Sequence, residues 1–222
     1  MNKTSPIVHA ILLTAPGCAH CPGVLNVLST AEKDGRLASL EVVDIAVDAQ
    51  RATELGVRTV PWFSLNELEF EGAYSEAEIN SWITHAGTDE GLAILYDDLL
   101  GDGQMPRVEV LVRKHPHTVS TLLSLLEDDE RRISVRIGVG AVIEGLEGTG
   151  LLTDYVAELG KLTQHSNIST RIDAYHYLSL TDNREAIPYL RAALDDTHPD
   201  VRETVIESLE VFGEEVSDVI SD

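Results

Sequence analysis

The residues best suited to chemistry are the only two cysteines of the chain, Cys18 and Cys21, which flank Ala19 and His20. A disulfide between them would close a ring of four residues, and so short a ring restricts the unfolded chain very little. The pair is therefore interpreted as reactive, because thiolates attack disulfides and a second thiol can complete the exchange. The alternatives are an inert buried pair and a metal site, for which His20 adds a third ligand where zinc takes four.

The segments around the cysteines predict how the chain presents them. Residues 7–14 are apolar almost throughout, which is typical of a buried strand, and residues 24–33 have the pattern of a helix. A second strand is predicted over residues 37–45 and a short helix over residues 48–55. Because two strands joined by a helix are normally parallel, we expect these two strands to pair in parallel.

The next segment predicts the rest of a small α/β domain. Residues 64–70 indicate a hairpin, and a last helix is expected to begin at Ser75, with Glu78 in the position of its capping-box partner. The predicted order is therefore β-α-β-α-β-β-α within residues 1–87.

This order resembles the thioredoxin/glutaredoxin fold. The matching motifs are Cys18-Ala19-His20-Cys21 after the first strand and Thr59-Val60-Pro61 before the third. The resemblance covers residues 5–86 and implies a mixed sheet flanked by helices. It also implies that Pro61 follows a cis peptide bond and faces the dithiol, although only about 5–6% of X-Pro bonds in folded proteins are cis.

The resemblance implies a role for each site residue. Cys18 is the expected nucleophile, because unpaired N–H groups at a helix N-terminus favour the thiolate and lower a thiol pKa from about 8.5. Cys21 is the expected resolving cysteine, and His20 is expected to tune Cys18 towards a more oxidising couple. The expected substrate-binding residues are Thr59, Val60 and Trp62. For Trp62, a core position is the favoured alternative.

Three departures from the family pattern narrow the expected activity. Gly17 stands where thioredoxins have a tryptophan, and residues 7–14 contain no acidic residue to assist the second cysteine. Ala15-Pro16 and Gly72-Ala73 replace the basic residue and the glycine pair that are common in glutaredoxins. Neither glutathione binding nor interchange with ordinary thioredoxin is therefore expected, and no cofactor is predicted.

The second half of the chain is predicted to be helical, with domains over residues 1–87 and 88–222. Arg136, Arg171 and Arg202 each precede apolar residues three and seven positions later, and they are separated by 35 and 31 residues. Such a period is typical of helical solenoids. Residues 105–212 resemble HEAT repeats, most clearly in the last two units, and the three arginines are expected to pair with acidic groups of adjacent repeats.

The charge of the chain limits its partners. The formal net charge of −22 disfavours nucleic acid and anionic membranes, so neither is expected as a partner. Residues 88–222 hold 27 of the 38 acidic residues. A solvated acidic shell is the favoured interpretation, and an acidic face for a basic partner is the alternative.

The N-terminus and the hydropathy lead to an expected location. No apolar run approaches the ~18 residues that a membrane helix needs. Lys3 precedes the first apolar stretch, but His9 interrupts that stretch, so no signal peptide is expected and a cytoplasmic location is predicted.

Two functions are compatible with these features. The first is a thiol–disulfide oxidoreductase that acts on a disulfide or thiol of a protein client, with the HEAT-like module binding that client. The second is a non-catalytic binding or assembly protein, in which the helical repeats are the working part and the thioredoxin-like head is a docking or redox-sensing element. Both functions predict a protein partner, and neither predicts the direction of electron flow.

Overall fold

A computed structural model describes residues 7–215 of the chain, and these residues form four β-strands and eleven α-helices. The chain divides into two compact units, Met1–Leu95 and Tyr96–Asp222. The domain limits predicted at residues 87 and 88 remain a prediction. Lys3 and the first two residues of the family resemblance lie outside the described residues. None of the helices over residues 7–215 is long and apolar enough to cross a bilayer.

The first unit contains one sheet and three helices. Its elements are β1 (His9–Thr14), α1 (Cys21–Lys33), β2 (Ser39–Asp44), α2 (Ala49–Leu55), β3 (Trp62–Leu65), β4 (Leu68–Glu71) and α3 (Glu76–His85). The strand order is β2-β1-β3-β4. β1 pairs in parallel with β2 and antiparallel with β3, and β3 forms a hairpin with β4. The predicted mixed sheet flanked by helices is confirmed.

Apolar side chains cover both faces of this sheet. On one face Leu13 and Trp62, which lie opposite each other on β1 and β3, pack with Ala52 of α2. On the other face the Phe63 ring stacks on Phe70, with ring centroids 4.8 Å apart. The alternation of neighbouring strand residues between two packed layers explains why β1 is apolar almost throughout.

Polar side chains cap the N-terminal ends of α2 and α3. The Asp48 carboxylate accepts a hydrogen bond from the Arg51 N–H at the start of α2. Ser75 and Glu78 form both hydrogen bonds of the capping box at the start of α3. Each cap satisfies backbone donors that have no partner inside the helix.

The regular elements in the rest of the described chain are all helices. They are α4 (Asp89–Gly101), α5 (Met105–Lys114), α6 (Val119–Ser124), α7 (Ile133–Gly145), α8 (Val156–Leu162), α9 (Ile168–Ser179), α10 (Ile187–Arg191) and α11 (Pro199–Val211). Helix α4 contains the boundary between the two units. Short 3-10 turns precede α6, α8 and α10.

Helices α7, α9 and α11 are the equivalent helices of the predicted repeat. The apolar residues three and seven positions after each repeat arginine are all fully buried: Val139, Ile143, Ala174, Leu178, Val205 and Leu209. The shared spacing therefore turns the same face of each helix towards the core, which confirms the helical-repeat interpretation.

Two of the three repeat arginines pair with acidic residues of the following repeat. Arg136 lies 3.0 Å from the Asp173 carboxylate, and Arg171 lies 3.5 Å from that of Asp196. Arg202 instead donates to the backbone carbonyl oxygen of Asp196. The expected pairing with adjacent repeats is confirmed for Arg136 and Arg171, whereas Arg202 is placed by a backbone contact within its own unit.

The glycines that weaken the repeat pattern in α7 do not interrupt the helix. At Gly138 a Cβ atom would lie 2.9 Å from Leu100 Cδ2 of α4. A larger residue there would require the Leu100 side chain to shift, because the two helices approach each other closely.

Candidate redox site

The strand register brings the two predicted motifs to the same edge of the sheet. Leu13 lies opposite Trp62, and β1 runs antiparallel to β3. The segment that leaves the end of β1 and the segment that enters the start of β3 therefore meet at one edge. The first leads to the dithiol, and the second contains the cis Val60–Pro61 peptide bond.

A tight turn carries the chain from β1 to the first cysteine. The Cys18 N–H donates to the Ala15 carbonyl oxygen over 3.2 Å, and Gly17 has a φ of 81°. Proline followed by a residue with positive φ is the pattern of a type II turn, in which glycine is strongly preferred at the second central position. The turn accounts for glycine at this place, and the Pro16-Gly17 dipeptide is the sequence signal that could have predicted it.

The two cysteines form a disulfide at the N-terminus of α1. The Cys21 N–H, the first of the helix, donates to Cys18 Sγ over 3.1 Å. This N–H has no carbonyl partner within the helix, so it is available to the sulfur. A thiolate at Cys18 would accept the same hydrogen bond and would lie at the positive end of the helix dipole.

The cysteines differ in their access to solvent. Cys18 is partly exposed, whereas only 4% of Cys21 is exposed. The sulfur that an external thiol or disulfide can reach is therefore that of Cys18. Pro22 occupies the first turn of α1, where a missing N–H removes no helical hydrogen bond.

The remaining predicted site residues fall into two groups. His20 is exposed at the N-cap of α1, where its side chain makes no capping hydrogen bond, and Thr59 is exposed on the segment before β3. Val60 is partly buried and Pro61 is buried. Trp62 is 2% exposed and packs in the core on the α2 side of the sheet. This position corresponds to the core alternative for Trp62.

The fold also places an acidic residue, Asp44, at this edge of the sheet, and sequence reasoning did not single it out. It ends β2 opposite Thr14, and its carboxylate accepts a hydrogen bond from the Ala46 N–H over 2.9 Å. The parallel pairing of β2 with β1 is the signal that would have placed it there. Within residues 7–215, no three His, Cys, Asp or Glu side chains are grouped so that they could hold a metal ion.

Known proteins resemble the two parts of the chain separately. The family model for a thioredoxin domain matches residues 9–84, and that for HEAT repeats matches residues 156–219. A "Probable Thioredoxin" of Methanothermobacter thermautotrophicus is 35% identical over 75 residues, which are 33% of this chain and 88% of that protein. A protein of the same description from Methanothermobacter marburgensis is 32% identical over 75 residues, with the same shares.

Proposed function

Because the chain belongs to the thioredoxin family through residues 9–84, we propose that it is a thiol–disulfide oxidoreductase that acts on disulfides or thiols of proteins. One observation carries the proposal. Cys18 is the reachable sulfur and accepts the first N–H of α1, while Cys21 is buried beside it. This difference suits one cysteine to attack and the other to resolve.

The reaction proceeds in two exchanges that conserve electrons. In the reduced form, the Cys18 thiolate attacks one sulfur of a client disulfide, so that a mixed disulfide forms and the other client sulfur leaves as a thiolate. The Cys21 thiolate then attacks Cys18 Sγ, which restores the Cys18–Cys21 disulfide and releases the second client thiolate. Two electrons pass from the protein to the client, and the released thiolates take up protons. The same steps in reverse donate a disulfide.

The proposed supporting residues surround these two sulfurs. The exposed side chain of His20 would favour the Cys18 thiolate whenever its ring carries a proton. The backbone of Thr59 and Val60 would pair with an extended client segment at the same edge of the sheet, as a short β-augmentation. The buried Trp62 would support this segment from the core.

The helical repeats are proposed to bind the protein client. HEAT repeats present extended surfaces rather than reactive groups, and this supports a protein as the substrate. The location proposed for this activity is the cytoplasm, where dithiols of this kind act catalytically.

A cysteine trap tests the proposal. Replacement of the resolving residue, Cys21→Ser, should leave the mixed disulfide with Cys18 unresolved, so that client proteins remain covalently bound after exposure of the variant to a cell extract. The matched control is Cys18→Ser/Cys21→Ser, which has the same resolving-site change without the nucleophile. The bound proteins are released with dithiothreitol and compared by mass spectrometry.

A second measurement decides between an enzyme and an assembly protein. The reduced wild-type protein should reduce the disulfides of insulin, and Cys18→Ser should abolish this activity. If the trap captures nothing beyond the double variant, and insulin is not reduced by the wild type, the chain is not an oxidoreductase. The alternative function through the repeats would then stand.

A further inference from the structure

A groove of about 400 Å³ lies between α7 and α9 in the second unit. One wall is a ridge of α7 residues at helical spacing, Ile133, Ile137, Ala141 and Glu144. The facing wall comes from α9 and consists of Ser169, Asp173 and Tyr177. Residues four positions apart lie above one another on a helix, so each wall is a continuous row.

The α7 wall exposes two neighbouring apolar side chains. Ile133 is 70% exposed and Ile137 is 63% exposed. The two residues lie one helical turn apart on α7, whose opposite face is buried. Two adjacent isoleucines that line the same concave surface differ from the single exposed apolar residues that occur on most proteins. They present aliphatic surface to a ligand.

The groove is lined by an ion pair whose two charges neutralise each other. The largely buried Arg136 donates to the Asp173 carboxylate over 3.0 Å and to the Thr170 hydroxyl over 3.1 Å. Burial raises the pKa of Asp173, although the Arg136 guanidinium opposes this. Gly140 also lines the groove, and a Cβ atom there would lie 3.0 Å from the Tyr177 hydroxyl oxygen.

The charge that the groove presents to a ligand is therefore negative. Arg136 and Asp173 neutralise each other, whereas Glu144 lies at the end of the α7 ridge, 3.4 Å from the imidazole of His176. Burial is the first cause of the raised pKa of Tyr177, and the charges of Asp173 and Glu144 add to it. Its hydroxyl is therefore neutral at physiological pH. The half of the chain that contains the groove, residues 88–222, has 27 acidic residues against 11 basic ones.

We propose that this groove binds a cationic, aliphatic-rich segment of a partner protein, whose aliphatic side chains contact Ile133 and Ile137 and whose lysine or arginine pairs with Glu144. The charge complementarity selects this occupant, because an acidic segment would meet Glu144 and a strongly negative surface. The inference concerns only protein binding by the repeats and does not depend on the dithiol chemistry.

The helix geometry sets the spacing of the two contacts. Ile137 and Glu144 are seven residues apart, which is about 10 Å along the helix at 1.5 Å per residue. A partner segment that binds as a helix should therefore have its aliphatic and basic side chains about seven positions apart.

A peptide selection tests the proposal. A phage-displayed library of random 12-residue peptides is selected against the full-length chain at low salt, and the enriched peptides are synthesised and titrated by fluorescence anisotropy. We expect them to contain lysine or arginine together with leucine, isoleucine or valine. Their affinity should fall about tenfold for Ile137→Ser and for Glu144→Lys, since tenfold corresponds to one well-placed contact. It should also weaken with added salt.

Two matched variants control for general effects of the substitutions. Val110→Ser removes an apolar side chain that is 61% exposed on α5, outside the groove, and Glu147→Lys reverses an exposed charge just beyond α7. Both should leave the affinity within about twofold of the wild type, which is the scatter expected for distant surface changes. Far-UV circular dichroism establishes that each variant is folded.

Four results would overturn the proposal. They are the absence of any enriched peptide, enrichment of acidic or wholly polar peptides, equal binding by Ile137→Ser and the wild type, and a dimer that Ile137→Ser dissociates. Sedimentation velocity detects such a dimer, which would make the occupant a second copy of this chain. The double variant Cys18→Ser/Cys21→Ser should retain peptide binding, so failure here and failure of the redox proposal are separable.

Discussion

At the scale of single residues, the reactivity that we propose for the dithiol depends on where the helix begins. Helix α1 begins at Cys21, and its first N–H points at Cys18 Sγ. Had the helix begun one turn earlier, that N–H would have been paired with a carbonyl oxygen of the preceding turn. The turn at Gly17 and the proline at Pro22 both favour this start of the helix.

The contribution of His20 can be measured on the thiol itself. In His20→Ala we expect the pKa of the Cys18 thiol to rise and the reduction potential of the pair to become more negative. The reason is that the reduced form loses a group that stabilises its thiolate. The pH dependence of alkylation by iodoacetamide measures the pKa, and equilibration with glutathione measures the potential.

The control for His20 is a histidine of the same unit on another element. His85→Ala on α3 should change neither quantity. An unchanged Cys18 pKa in His20→Ala would remove His20 from the redox mechanism and leave the helix N-terminus as the stabilising group.

At the scale of elements, long-range polar contacts determine which helices are held together. Arg136 of α7 reaches Asp173 of α9, and Arg171 of α9 reaches Asp196 before α11. Each arginine therefore links its own helix to the following repeat. Such links join neighbouring repeats, as expected for a repeat protein in which each repeat contacts only the repeats next to it.

Asp97 links α4 to the residues that lead into α7 and makes stability depend on pH. Its carboxylate accepts hydrogen bonds from Arg131 over 2.6 Å and from Arg132 over 2.7 Å. Burial acts to raise the pKa of Asp97, but the two guanidinium groups outweigh it and the pKa is lowered. A carboxyl with a lowered native pKa stabilises the fold fully above its unfolded pKa of about 3.9, and this stabilisation is lost as the pH falls through the native value.

We expect Asp97→Asn to lower the free energy of unfolding by about 1.5–3 kcal/mol at pH 7, the range for hydrogen bonds to charged groups. The difference from the wild type should shrink as the pH falls below about 4. Urea denaturation at a series of pH values measures both effects.

The neighbouring Asp98 supplies a control of opposite sign. Burial, followed by the charge of Asp97, raises its pKa, so its ionised form is unfavourable in the folded state. Asp98→Asn should therefore not destabilise the protein at pH 7. Equal losses of stability in the two variants would show that the loss does not come from the arginine contacts.

At the scale of the whole molecule, two separate cores support two kinds of surface. The first unit has a sheet with Phe63 fully buried on one face, and the second has Leu122 fully buried among helices. The dithiol belongs to the first unit and the proposed groove to the second. The charge is uneven as well, because residues 1–87 have 11 acidic and 5 basic side chains while the rest have 27 and 11.

The two cores can be monitored with separate probes. Both tryptophans, Trp62 and Trp82, lie in the first unit, while the far-UV signal comes mainly from the helices of the second. Phe63→Ala should lower the stability reported by tryptophan fluorescence by about 3–5 kcal/mol, and Leu122→Ala should lower that reported by circular dichroism by about 2–5 kcal/mol. Urea titrations with both probes measure the shifts, and identical shifts in both probes for either variant would contradict separate cores.

Local patterns were sufficient to predict most of the architecture. Apolar runs, the Ser75–Glu78 capping box and the repeated arginine spacing predicted the mixed sheet and the helical repeats, because each depends on residues within one or two turns of one another. The dithiol was recognisable for the same reason. The roles assigned to His20, Thr59 and Val60 remain predictions, because that of His20 depends on the reduced dithiol and those of Thr59 and Val60 depend on a bound client.

What the sequence determined by itself is therefore the order of the elements, their caps and the position of the cysteines before a helix. Only the tertiary structure decided that Trp62 lies in the core and that Asp44 shares the sheet edge with the dithiol. It also decided that Ile137 of α7 lines one groove together with Asp173 and Tyr177 of α9. These facts depend on strand register and helix packing between residues that are far apart in the chain. No periodicity within one segment specifies which other segment it meets.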